Sequence, residues 1–159
     1  MDWITLAGFV AAAVGAAATG ALFSPGPWYD NLLKPAWTPP NWLFPLAWTL
    51  LYAAMVWAAY RVSRAPMALA APGLAFWSAQ IVFNALWSPI FFGQKKLGAA
   101  LVALCGLWIC VVATTVLFFR VDLVAGLLFA PYVVWVSYAG ALNAVIWKSN
   151  RQPLGGASA

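Results

Sequence analysis

Two carboxamide side chains lie in a long uncharged stretch and are the residues best suited to orienting a ligand. In "FWSAQIVFNALWSPIFF", Trp77, Gln80, Asn84 and Trp87 recur at spacings of three, four and three residues, which predicts a single helical stripe. Amides in an apolar medium are costly unless they are partnered. Either they bond neighbouring helices, at about 1 kcal/mol or less per bond, or they face a cavity. The flanking indoles favour the cavity.

Groups that carry conventional catalysis are scarce in this sequence. It contains no His, the commonest general base and metal ligand. Asp2, Asp30 and Asp122 stand near the ends of apolar runs and form no cluster. Cys105 and Cys110 are five residues apart, so on a helix they point to different faces and predict neither a disulfide nor a metal pair. We therefore expect no metal, no cofactor and no acid–base or nucleophilic catalysis.

Composition places the 159-residue chain in a bilayer. Hydrophobic residues make up 65% of it and charged residues 7%, whereas an average soluble domain is about a quarter charged. The net charge of +5 comes from basic residues scattered between apolar runs. That scatter fits anchors at membrane edges and argues against nucleic acid as a partner.

The charges divide the chain into five apolar intervals, each long enough to cross a membrane as a helix. They predict an all-α integral membrane protein, a bundle of five transmembrane helices in one domain over residues 1–150, with a disordered tail over residues 151–159. Asp2 stands where a signal peptide would be positive, so the first interval is interpreted as an uncleaved helix. The predicted spans are 3–23, 41–61, 70–92, 97–119 and 123–147.

Five spans put the two termini on opposite sides of the membrane. The side with the first link and the C-terminus holds five Lys and Arg, and the other side holds three. The positive-inside rule therefore predicts that the long first link and the C-terminus are cytoplasmic.

The first link, within "WYDNLLKPAWTPPNWLFPLAW", is dense in Trp and Pro. Thr38 is expected to be the N-cap of the second helix, with Pro39 at its first position. Pro45, Trp48 and Tyr52 then share one helical face. The segment is interpreted either as a rigid aromatic cap over a pocket, whose stiffness lowers the entropic cost of binding, or as a loop lying on the membrane surface.

The fifth span supplies a third aromatic wall. Pro131, Trp135, Tyr138, Ala139 and Leu142 share a face in "PYVVWVSYAGALN", and Ala139 leaves room beside the rings. Together with the second and third spans, this face describes a site for a flat, apolar ligand with a polar edge.

Small residues also recur at four-residue spacing. Such ridges let helices approach closely, either sealing the bundle or joining two copies. They are Gly8, Ala12, Ala16 and Gly20 in the first span, and Ala71, Ala75 and Ala79 in the third.

Three blocks of this sequence resemble the TspO/translocator protein family, also called tryptophan-rich sensory proteins or peripheral benzodiazepine receptors. The blocks are "WYDNLLKPAWTPPNWLFPLAWTLLY", "QIVFNALWSPIFFGQKK" and "PYVVWVSYAGALN". The resemblance covers residues 3 to 150 and suggests a bacterial member. It implies a homodimer of five-helix bundles in which the first link folds over a pocket. The lining residues that it implies are Tyr29, Trp37, Pro39, Trp48, Tyr52, Gln80, Phe83, Asn84, Trp87, Trp135, Tyr138 and Ala139.

Family ligands are porphyrins such as protoporphyrin IX, sterols, and benzodiazepine-type drugs. The resemblance thus implies a membrane receptor or carrier involved in the regulation, transport or disposal of porphyrins. Two alternatives stand beside it: a light- and oxygen-dependent porphyrin-degrading enzyme using Trp37 and Trp135, and a dimeric stress sensor acting through partner proteins. Among bacterial membranes, a helical bundle favours the inner over the outer one.

One departure from the family bears on sterols. Animal members carry a proposed cholesterol motif in the fifth helix, with a basic residue soon after a Tyr. Here Tyr138 is followed by "AGALNAVIW", and Lys148 is too distant. A weak match, Val56–Tyr60–Arg64, ends the second span. Porphyrin is therefore the favoured ligand, with Lys34 a candidate partner for its propionates.

Overall fold

A computed structural model describes residues 2–151, and these form helices joined by one long link and several short ones. The predicted tail from residue 152 onward lies outside the described residues. Five helices are long and apolar enough to cross a membrane, which makes the chain a multi-pass integral membrane protein. The helices are α1 (Trp3–Leu22), the single turn α2 (Pro27–Asp30), α3 (Leu43–Ser63), α4 (Met67–Ser88), α5 (Leu97–Val121) and α6 (Leu123–Ser149).

The predicted spans agree with these helices to within three residues at all but one end, since α4 continues as a π-helical turn over Pro89–Gly93. The prediction that the second helix starts with Thr38 as its N-cap and Pro39 at its first position is wrong. The Thr38 hydroxyl donates to the carbonyl of Pro35 at 2.7 Å rather than capping a helix. Three residues of irregular chain follow Pro39, and α3 begins at Leu43 with no side-chain cap.

Asp2 and Asp122 mark the starts of α1 and α6. The Asp122 carboxylate accepts from the backbone N–H of Ala125 at 2.8 Å, and Asp2 accepts from that of Thr5 at 3.2 Å. Each caps a helix whose first amides have no partner within the helix. Because Asp122 alone separates α5 from α6, those two helices form a tight antiparallel pair.

A densely packed part of the bundle lies at the end that holds Asp2 and Asp122. Phe118 is fully buried there, and a Cβ added to Gly73 would lie only 3.0 Å from its ring. Close approach at glycine lets α4 and α5 bury that ring between them. We call this part, residues 2–12, 55–78 and 110–132, the closed half. Residues 13–54, 79–109 and 133–151 form the capped half, and residues 24–42 within it are the cap.

Candidate functional site

The capped half contains a cavity of about 620 Å³. Its volume falls within the range of about 300–1,000 Å³ that is typical of small-molecule sites. The lining comes from α1, the cap, α3, α4, the π-helical turn, α5 and α6. The lining includes Ala16, Gly20, Tyr29, Phe44, Trp48, Tyr52, Asn84, Trp87, Phe91, Phe92, Trp135, Ala139 and Asn143.

Aromatic rings from α3 and α6 form one wall of the cavity. Trp48 and Tyr52, one helical turn apart, have ring centroids 5.5 Å apart. The Trp48 ring lies edge-on to that of Trp135 on α6 at 6.4 Å, and Phe44 meets the same indole at 5.9 Å. Edge-to-face contacts of this kind fix each ring against its neighbours. The wall is therefore broad, apolar and held in place by its own packing.

The π-helical turn supplies a second aromatic group. The N–H of Gln94 donates to the carbonyl of Pro89 at 2.8 Å, a bond one residue longer than in an α-helix. The wider turn presents Phe91 and Phe92 to the cavity beneath the cap, where both rings meet Tyr29. Burial raises the pKa of the Tyr29 phenol above its ordinary value, so this hydroxyl stays neutral.

Three amides contribute polarity to this apolar lining: Asn41 of the cap, Asn84 and Asn143. Asn84 is 7% exposed and accepts from the Tyr52 hydroxyl at 2.6 Å. Asn143 accepts from the indole N–H of Trp87 at 3.1 Å. No charged side chain lines the cavity within residues 2–151. A small molecule in this cavity would be recognised through shape, apolar contact and a few hydrogen bonds.

Seven of the twelve residues singled out from the sequence line the cavity. They are Tyr29, Trp48, Tyr52, Asn84, Trp87, Trp135 and Ala139. The other five lie behind the cavity wall or in the cap. They are Trp37, Pro39, Gln80, Phe83 and Tyr138.

Those five have structural surroundings of their own. The Tyr138 hydroxyl donates to the backbone carbonyl of Trp37 at 2.7 Å, and this bond holds the cap on α6. Gln80 is fully buried below the cavity. The Phe83 ring packs on Gly106, where a Cβ would lie 2.7 Å from it, so it joins α4 to α5. Pro39 lies half-buried in the cap.

The cap is tied to the end of α6 by a second contact. The Asn150 side chain accepts from the backbone N–H of Leu33 and donates to the carbonyl of the same residue, both at 3.0 Å. Lys34 donates to the carbonyls of Tyr29 and Asp30, at 2.6 and 2.9 Å. Its ammonium is thus held by the cap itself and does not line the cavity.

Sequence reasoning missed several contributors. Ala16 and Gly20 were interpreted as helix-packing residues, whereas both line the cavity on the α1 side. Tyr132 is fully buried and donates to Gln80. The sequence could have predicted this contact. A tyrosine inside an apolar span needs a partner for its hydroxyl, and the amides of the third span are polar groups that could supply one.

The family model described as TspO/MBR family matches residues 5–148 of this chain. Among curated relatives, Protein CrtK of Rhodobacter capsulatus is 56% identical over 144 residues, 89% of each chain. The Tryptophan-rich sensory protein of Cereibacter sphaeroides is 49% identical over 143 residues, 90% of this chain and 89% of its own.

The likeness extends to animals. The human Translocator protein is 34% identical over 160 residues, covering 97% of this chain and 95% of its own. Its match spans all five transmembrane helices and the cap. On the family match and these identities, the chain belongs to the TspO/MBR family.

Proposed function

We propose that this protein is a membrane receptor or carrier for tetrapyrroles such as protoporphyrin IX, acting in their regulation, transport or disposal. The observation that carries the proposal is the cavity of about 620 Å³, walled by indole and phenyl rings and free of charged side chains among the described residues. Flat aromatic surfaces stack well on such rings. Relatives named sensory and translocator proteins support a role in ligand sensing or movement.

We also propose a placement for the protein in a bacterial inner membrane, with the cap and the C-terminus cytoplasmic. The capped half carries five basic residues against Asp30, whereas the closed half carries three against Asp2 and Asp122. Two of those three are ion-paired, Arg61 with Asp122 and Arg64 with Asp2. The surplus of positive charge at the capped end is the asymmetry that favours the cytoplasm.

A titration with protoporphyrin IX in lipid nanodiscs tests the proposed function through quenching of tryptophan fluorescence. Trp48→Ala removes a ring from the cavity wall and is expected to weaken binding about tenfold, equivalent to about 1.4 kcal/mol. Trp57→Ala is the matched control, because Trp57 lies on the same helix but in the closed half, outside the lining. It should bind within about twofold of the parent. If Trp48→Ala also binds like the parent, the cavity is not the site.

A second candidate function, light-driven oxidation of a bound porphyrin, is favoured by one series of rings. Trp135 lines the cavity, its ring centroid lies 6.2 Å from that of Tyr138, and Tyr138 lies 5.4 Å from Trp37. Repeating the titration under illumination in air separates the two functions. A pure receptor retains the Soret band, whereas an oxidase loses it, and more slowly in Trp135→Phe.

A further inference from the structure

One chain of hydrogen bonds runs from the cavity wall into the core of the bundle. The Tyr52 hydroxyl donates to Asn84 Oδ1 at 2.6 Å, and Asn84 Nδ2 donates to the Tyr132 hydroxyl oxygen at 2.6 Å. The Tyr132 hydroxyl donates to Gln80 Oε1 at 3.1 Å, and Gln80 Nε2 donates to Met55 Sδ at 3.6 Å. Tyr52 and Asn84 line the cavity, whereas the other three side chains do not.

The far end of the chain sets its direction. Gln80 is fully buried and Met55 is 1% exposed, so no solvent reaches either group. A thioether sulfur carries no hydrogen and can only accept. The Gln80 group facing it must therefore be the amide nitrogen, because an amide oxygen there would meet a second acceptor. With Nε2 on the sulfur, Oε1 faces Tyr132 and takes its proton.

Each later link follows from the one before it. Since the Tyr132 proton is used on Gln80, its oxygen accepts from Asn84 Nδ2. That orientation turns Asn84 Oδ1 toward Tyr52, which donates its own proton. All four hydrogen bonds thus point away from the cavity. Chains of this kind polarise their members and strengthen each bond.

The consequence appears at Tyr52, which is half-buried against the cavity. The Tyr52 hydroxyl donates its only proton to Asn84, so towards the cavity its oxygen can only accept a hydrogen bond from a ligand. The Trp87 indole N–H donates to Asn143, whereas the indole N–H groups of Trp48 and Trp135, which also line the cavity, form no hydrogen bond among the described residues. A preference set by this chain therefore concerns only the ligand edge placed against Tyr52. A ligand acceptor placed against Tyr52 would face a second acceptor or would have to break the chain, which is costly in a buried site.

We infer that the inner wall of the cavity selects flat ligands presenting an N–H or O–H donor to Tyr52, and that Tyr132, Gln80 and Met55 fix this preference from outside the cavity. The inference rests on the proposed function only in placing a ligand in that cavity. Tyr52 is the specificity-determining contact, and the other three are positioning residues.

Three isosteric probes test the preference. Carbazole, fluorene and dibenzofuran share one flat tricyclic skeleton and carry N–H, CH₂ and O at the same bridging position. Equilibrium dialysis against loaded and empty nanodiscs measures binding beyond lipid partitioning. The parent is expected to bind carbazole about fivefold more tightly than fluorene, as one neutral hydrogen bond predicts, and dibenzofuran no more tightly than fluorene. Equal affinities for the three probes, or a preference for dibenzofuran, overturn the inference.

Variants locate the origin of the preference. Tyr52→Phe removes the acceptor and should bring the carbazole-to-fluorene ratio to about one. Tyr132→Phe, behind the wall, frees the Asn84 amide to turn. The Tyr52 hydroxyl can then donate to a ligand, so the affinity for dibenzofuran should rise relative to that for carbazole. Met55→Leu is nearly isosteric but removes the acceptor of the Gln80 amide. It should likewise raise the affinity for dibenzofuran relative to that for carbazole. If Tyr132→Phe and Met55→Leu both keep the parent's ratio, the direction is not set by this chain.

The control variant is Tyr60→Phe, which removes another buried hydroxyl far from the cavity, one that accepts from the Asp2 backbone N–H at 2.9 Å. It should leave the ratio unchanged, whereas a general effect of lost tyrosine hydroxyls would move it. The outcomes also separate the two proposals. Carbazole selectivity without protoporphyrin binding removes the proposed function and keeps this inference. Protoporphyrin binding without selectivity among the three probes keeps the proposed function and overturns this inference.

Discussion

The closed and capped halves of the bundle are built from the same helices but use them differently. In the closed half, Phe118 and Phe129 are fully buried with their rings 5.4 Å apart, and glycine allows the helices to approach closely around them. In the capped half, Trp48 and Trp135 are only partly buried, because they border a cavity. Dense packing is thus concentrated at one end and empty volume at the other.

Polar groups near the two ends of the bundle differ in the same way, whereas the hydrogen bonds from Tyr52 to Met55 cross from one half to the other. Those of the closed half join helix ends directly, as Arg61 on α3 does with Asp122 at the start of α6. Those of the capped half attach the cap, through Tyr138 and Asn150, or line the cavity. On the proposed function, we expect the closed half to act mainly on stability and the cavity of the capped half to act mainly on binding. Substitutions should therefore separate the two properties.

The largest expected effect is on stability. Phe118→Ala leaves a cavity that lipid cannot fill, and we expect the free energy of unfolding to fall by about 3 kcal/mol, the lower end of the usual cost because lipid is itself apolar. Denaturation in mixed detergent micelles, followed by circular dichroism, measures the loss. Protein that remains folded should bind protoporphyrin IX within about twofold of the parent.

Phe76→Ala is the matched control, since Phe76 is 39% exposed and faces the membrane. Lipid replaces its lost contacts, so its cost should stay below about 1 kcal/mol. Equal losses in the two variants would mean that the closed half is not specially packed. A large loss of ligand affinity in folded Phe118→Ala would show that the two halves are coupled.

Much of this division could be predicted from the sequence. Uncharged intervals of about 20 residues or more leave the bilayer as the only environment for the spans, so the helices were placed to within a few residues. The spacing from Gln80 to Trp87 predicted a common face, and of its members Asn84 and Trp87 line the cavity. Gln80 is one turn deeper and lies below it, because a stripe along a helix does not tell where a cavity ends.

What the sequence did not reveal depends on non-local packing. Thr38 carries the usual N-cap side chain, yet it bonds Pro35, because the attachment of the cap to α6 keeps the chain irregular up to Trp42. The π-helical turn at Pro89 inserts one residue and presents Phe91 to the cavity, a shift that a 3.6-residue period cannot predict. Propensity and period describe single elements, whereas a cavity is formed by what several elements leave unfilled.

A smaller effect, on the rate of ligand release, is expected from the contact between the cap and α6. Asn150→Ala removes both hydrogen bonds to Leu33, worth about 1–2 kcal/mol of cap docking. We expect protoporphyrin IX to dissociate about tenfold faster in stopped-flow displacement, with little change in thermal stability. Asn31→Ala, which removes an exposed asparagine of the same cap, should release ligand at the parent's rate. Equal rates in all three proteins would mean that the cap does not control release.

The smallest expected effect concerns the ion pair of the closed half. The Arg61 guanidinium, helped by the Ala125 N–H, holds the pKa of Asp122 below its ordinary value of 3.8. The folded state therefore binds this proton less readily than the unfolded state. The resulting stability is present above pH 3.8 and is lost as the pH falls through the lowered folded pKa.

Two variants separate the charge of Asp122 from its capping role. Asp122→Asn keeps an oxygen for the Ala125 N–H and loses only the ion pair, so we expect about 0.5 kcal/mol of destabilisation at pH 7. Asp122→Ala also loses the cap and should cost about 1.5 kcal/mol in all. Asp2, whose pKa is likewise lowered, by its bonds to Thr5, is present in every protein, so its contribution cancels when parent and variant are compared. The difference between parent and Asp122→Asn should vanish in acid, and an unchanged difference at low pH would show that the charge of Asp122 does not stabilise the closed half.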